Sequence, residues 1–183
     1  MRWLAYLILA YVAIAVQIGL SPYVRWRGAA PNFVLLAGVY IALNAPRDAA
    51  LLGCFCMGLL QDLVTQQPPG LYALSYGLAG LVVAGSHHAV SKEHPLSHFA
   101  LALAGGLLTA TVLVVHGWFR PDAPAVPGGA GGAATLPAIR LPAGTQYASA
   151  LYTALLAPVV LGLLQRTRRF FAFQPQRRKV RPW

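Results

Sequence analysis

Residues 28–64 read GAAPNFVLLAGVYIALNAPRDAALLGCFCMGLLQDLV. The stretch is apolar for most of its length and is interrupted at Pro46-Arg47-Asp48. How that interruption is read decides the fold. Proline has no backbone N–H and pushes the residue before it toward extended conformations, so one helix through Pro46 is disfavoured. Gly28–Asn44 and Asp48–Val64 are each 17 residues long, near the lower limit for crossing a bilayer core. Two short helices joined by a tight turn at Ala45-Pro46-Arg47 are expected. A re-entrant hairpin that never crosses is the alternative.

The flanking sequence repeats the pattern. Trp3–Leu20 is an 18-residue run broken only by Gln17 and Gly19. A secretory signal has a shorter apolar core and a small-residue cleavage site, so a retained membrane helix is the better reading. After the breaker Pro68-Pro69-Gly70 a fourth span runs over Gly70–Ser86. A polar connection, His87–Ser97, leads to a fifth span, Phe99–Trp118. Phe119–Tyr147 holds five prolines and five glycines and reads as a long mobile loop. A sixth span is expected over Ala148–Leu164, with a kink at Pro158. The expectation is an all-α integral membrane protein. Residues 1–164 form a single six-helix bundle, and 165–183 form a basic tail.

Composition supports this. Only 10% of the 183 residues are charged and 57% are hydrophobic, with a mean hydropathy of +0.59. A soluble domain carries about 25% charged residues, so a water-soluble enzyme and a disordered chain are both excluded. The net charge is +10, and seven of the 14 basic residues fall in the last 18 positions. These are Arg166, Arg168, Arg169, Arg177, Arg178, Lys179 and Arg181. Interleaved with Phe170, Phe171, Phe173 and Trp183, they suit an anionic lipid surface and not nucleic acid. With both termini cytoplasmic, ten basic residues lie inside and four, Arg25, Arg27, Arg120 and Arg140, outside. The positive-inside rule selects that topology.

Side chains with possible chemistry are few. Asp62 ends Gly58-Leu59-Leu60-Gln61-Asp62 at the predicted outer end of the third span, where its carboxylate can reach the interface. A structural contact, a contact with a partner and ion binding are its three readings. Backbone amides opening the fourth span are its expected bonding partners, with Gln61 adding a bond across helices. Ala73/Gly77 and Gly80/Ala84 are small-xxx-small pairs, which permit close packing inside the bundle or against a second copy, as in a homodimer. Cys54 and Cys56 lie two apart, on different helix faces, and read as packing residues. His94 and His98 have i, i+4 spacing, but Pro95 stands between them and nothing completes a metal set. No GxSxG, P-loop or HExxH motif occurs. No cofactor, metal or catalytic residue is therefore expected.

Residues 31–85 resemble the rod shape-determining protein MreD family. The resemblance rests on Pro31-Asn32-Phe33, Gly53, Gly58-Leu59-Leu60-Gln61-Asp62 and Gly70-Leu71-Tyr72-Ala73-Leu74, together with the six apolar runs. The loop over 119–147 and the basic tail are longer than the family pattern. The resemblance implies a non-enzymatic subunit of the bacterial inner membrane in the cell-elongation machinery. It would bind MreC and work indirectly with MreB, RodA and a penicillin-binding transpeptidase in peptidoglycan synthesis. It also implies a fold similar to transporter S-components. Pro31, Gly53, Gly58, Asp62, Gly70, Gly77 and Gly80 are the positions expected to make structural or partner contacts. The competing reading is a substrate-binding subunit of an energy-coupling-factor vitamin transporter. That would require polar and aromatic groups converging on an outward pocket. Tyr72, Tyr76 and Trp118 are candidates, but few polar side chains are expected to face inward with them.

Overall fold

The computed structural model describes residues 3–65, 69–86, 95–119 and 143–166. Within them lie six helices: α1 (Trp3–Leu20), α2 (Phe33–Asn44), α3 (Arg47–Thr65), α4 (Leu71–Gly85), α5 (Pro95–Phe119) and α6 (Ala143–Arg166). Residues 120–142 of the expected loop over 119–147, and the tail residues Arg168, Arg169, Arg177, Arg178, Lys179 and Arg181, lie outside the described residues. Arg166 closes α6 and is exposed. Three helices, α3, α5 and α6, are long and apolar enough to cross a membrane.

The second helix differs most from expectation. It starts at Phe33 and not at Gly28. Trp26 and Ala29 close a tight turn through two backbone hydrogen bonds of 2.9 Å, with Arg27 and Gly28 at φ 51° and 86°. Consecutive positive φ values cannot continue a right-handed helix. Asn32 then caps α2, its side chain accepting from the Leu35 amide at 3.0 Å. Ala45, extended before Pro46, ends it. The result is a helix of 12 residues, about 18 Å long.

Every residue of α2 from Phe33 to Leu43 is buried. It touches all five other helices and forms the axis of the hydrophobic core. The most extensive pairings around it are α3 with α4 and α5 with α6. At the edge, α1 packs on α2 and, more lightly, on α3. Its Leu4, Leu7, Ile8, Tyr11 and Val12 are exposed.

Two other boundaries moved outward. α5 begins at Pro95, because proline at the first helical position loses a donor that would have no intrahelical partner anyway. α6 begins at Ala143, so Gly144–Tyr147 are helical and not loop. The helix continues through Pro158.

Candidate functional site

Asp62 lies in the last turn of α3, and it is buried, with 4% of its surface exposed. Its carboxylate is expected within reach of the interface; the structure turns it into the bundle. One oxygen accepts from the Tyr72 amide at 2.8 Å. The other accepts from the Gly70 amide at 2.9 Å and the Ala73 amide at 3.2 Å. These are opening amides of α4, donors that no helix can satisfy internally. The acid therefore caps a neighbouring helix, and the positive end of that helix offsets its charge. Gly70 makes this possible. Its φ of 99° lies in the left-handed region that side chains avoid, and it brings its own N–H to the carboxylate.

The same two helices are held together by missing side chains. A Cβ placed on Gly58 would overlap the Ala73 Cα and the Tyr72 carbonyl oxygen. One placed on Gly80 would stand 2.8 Å from the Cys54 side chain. Backbones at this separation need glycine. Gly77 packs more loosely: a Cβ placed on it would stand 3.8 Å from the Phe55 ring. Ala73, Gly80 and Ala84 are buried, so the small-residue pairs of α4 are used largely inside the bundle.

A second polar focus surrounds the start of α2. Gln17 of α1 donates to the carbonyl of buried Pro31 at 3.3 Å and accepts from the Phe33 amide at 2.7 Å. Thr153 of α6 accepts from the Asn32 amide at 2.9 Å. Ser149 accepts from the Ala30 amide at 3.2 Å. The Asn32 side chain donates to the Tyr76 hydroxyl of α4 at 2.6 Å. Three helices thus grip four consecutive residues. Asn32 is the hub, and sequence reasoning gave it no role beyond the motif. Its position before an apolar run, after proline, is the helix-start signal that was available. Gly53 sits apart from this focus; its carbonyl accepts from the Tyr6 hydroxyl at 2.9 Å.

Beside the hub is a half-open cavity of about 290 Å³. It runs from the ends of α1 and α3 and the turn before α2 to the middle of α5 and the first half of α6. Gln17, Asn32, Gln61, Thr109, Ser149 and Thr153 all line it, with Arg25 the charged member. The expectation that few polar side chains face inward is therefore corrected. Gln61 is 4% exposed, and its Oε1 has no hydrogen-bond partner among the described residues. The bond across helices expected of it is not made among the described residues. Of the aromatic candidates, Tyr72 lines the cavity, Tyr76 is buried on Asn32, and Trp118 is exposed.

The Cys54 thiol donates to the Gly38 carbonyl at 3.3 Å, a packing contact. His98 is buried on α5 and lies 2.8 Å from the Gln165 amide; His94 is outside the described residues. No group of three metal-ligating side chains occurs among the described residues.

No curated protein and no solved structure matches this chain significantly. The family model of the rod shape-determining protein MreD matches residues 1–125. That range runs from α1 through α5 and includes the Asp62 cap, Gly58 and the Asn32 hub. It is well over half of the 183 residues. The chain is a membrane protein of cell-shape determination, and it belongs to the rod shape-determining protein MreD family.

Proposed function

We propose that this chain is a non-catalytic scaffold of the inner membrane, docking an MreC-like bitopic protein within the elongation machinery. Through that partner it acts indirectly with MreB, RodA and a penicillin-binding transpeptidase. The family match over residues 1–125 carries this reading. The exposed apolar face of α1 supports it, because a helix held along one side leaves the other for lipid or for a partner's single span. All six helices insert, with both termini cytoplasmic and the 119–147 segment outside, in accord with the ten-to-four charge split.

Gentle detergent purification of the tagged chain should bring down a bitopic MreC-like protein. For topology, Ala130→Cys in a Cys54→Ala, Cys56→Ala background should label in intact cells. Labelling only after lysis would reverse the orientation. The polar cavity favours one second reading, a small-molecule-binding transporter subunit. A co-purifying ATPase pair with a transmembrane coupling protein, in place of the bitopic partner, would establish it.

A further inference from the structure

The cavity beside Asn32 is built, and one of its groups is left over. Most of its polar walls are already committed. Gln17 uses its carboxamide on Pro31 and Phe33. Asn32 uses its own on Leu35 and Tyr76. Thr153 accepts from Asn32 and donates to the Ser149 carbonyl at 2.7 Å. These bonds fix the wall and leave it little freedom to collapse. Gln61 differs. Its neighbour Asp62 turns away to cap α4, while Gln61, about 100° round the helix, lines the cavity with an acceptor that meets no donor among the described residues. An unmet buried carbonyl costs about 1–3 kcal/mol, so a sequence keeping one has kept it against stability. Thr109, 4% exposed, donates to the Gly105 carbonyl at 2.9 Å and keeps acceptor capacity on its hydroxyl.

The chemistry of the occupant follows. It must bring hydrogen-bond donors to Gln61 and Thr109. It must also tolerate or favour a cation, because Arg25 is the charged group in the lining and Asp62 is spent on α4. The volume of about 290 Å³ equals about ten water-sized groups, too small for a whole lipid and enough for a hydroxylated headgroup. Gln17 and Thr65 place one side of the cavity at the ends of α1 and α3, which in a bundle that sits in a membrane is headgroup depth, and Thr109, in the middle of α5, lies deeper. We propose that this cavity binds a glycerol phosphate group, its hydroxyls donating to Gln61 and Thr109 and its phosphate facing Arg25. The group arrives either as the headgroup of phosphatidylglycerol or as free glycerol phosphate. This goes beyond the scaffold reading and holds whether or not an MreC-like partner is found.

The test uses the full-length chain in detergent and in nanodiscs. Native mass spectrometry compares retained phosphatidylglycerol with phosphatidic acid, which has the same charge sign and no glycerol hydroxyls. A thermal-shift titration with glycerol 3-phosphate reads the free source. Wild type should prefer phosphatidylglycerol by about tenfold, and Gln61→Leu should bring the ratio to about one. The unligated midpoint of that variant should equal or exceed that of wild type, because an unmet acceptor is gone. Should Gln61→Leu fail to fold, Thr109→Val carries the same comparison. A glycerol 3-phosphate shift that disappears in the variant assigns the site to the free molecule. Equal retention of the two lipids by wild type, with no glycerol 3-phosphate shift, overturns the proposal. So does a preference that survives both substitutions in folded protein.

Discussion

The two attachments of α3, to α4 and to α1, are made in opposite ways. Toward α4 the contact is close, with Gly58 against the Ala73 and Tyr72 backbone, Gly80 against the Cys54 side chain and the Asp62 carboxylate holding three amides. Toward α1 it is light, with the Tyr6 hydroxyl donating to the Gly53 carbonyl. In lipid, apolar contact between helices gains little over contact with acyl chains, so close packing and hydrogen bonds decide adhesion. By that measure α3 and α4 are a single unit, while α1 is tied to α3 lightly and is held to the bundle mainly through α2. A partner's span competes far more easily for the second kind of surface than for the first.

Substitutions break or sharpen that contrast. Gly58→Leu should have the largest effect. Side-chain atoms have no free space at Ala73 and Tyr72, and relief requires separating α3 from α4. A loss of about 3 kcal/mol or more is expected, seen as failure to recover folded protein in detergent. A variant with a wild-type melting midpoint would show that the two helices are not as close as described. Asp62→Leu comes next, at about 2–3 kcal/mol, because it removes charge-assisted bonds and strands the opening amides of α4. It should insert, melt earlier and recover less MreC-like partner, and Asp62→Asn should fall between the two. Wild-type behaviour in expression, melting and co-purification would make Asp62 a mere boundary marker. Tyr6→Phe should lose about 1 kcal/mol, and equal amide exchange of α1 in wild type and variant would contradict the tie. Tyr11→Ala, on the exposed face of α1, should change the midpoint by less than about 0.5 kcal/mol equivalent.

How much of this was legible varies with the kind of signal. The Asp62–Gly70 relation could be read because both halves are local: an acid ends one apolar run, and proline-glycine opens the next within eight residues. The central position of α2 could not. Its residues are apolar on every face, and in a membrane protein that pattern marks burial and lipid exposure alike. The exposed run of α1 looks the same on paper. The sequence places the fifth span from Phe99, four residues late, because Pro95 looks like part of the connection, whereas proline is compatible with a helix start. The cavity was the hardest to foresee. Its polar walls come from α1, α3, α5, α6 and the turn before α2, and each residue alone looks like an isolated polar interruption in an apolar run. Only their convergence carries information, and no spacing in the sequence encodes it.

The shortness of α2 bears on how the chain is made. A helix of 12 residues reaches about 18 Å, against roughly 30 Å of hydrocarbon. Alone in a bilayer it would leave its unsatisfied ends in the apolar layer, a state that lipid does not tolerate. It therefore has no stable resting place until the helices that surround it are present. During synthesis α2 must wait with α3 at the insertion machinery, or at the headgroup boundary, for α4, α5 and α6 to enclose it. The most buried element of the finished protein is thus the one whose placement is decided last. A chain that ended before α6 would leave it with a wall missing.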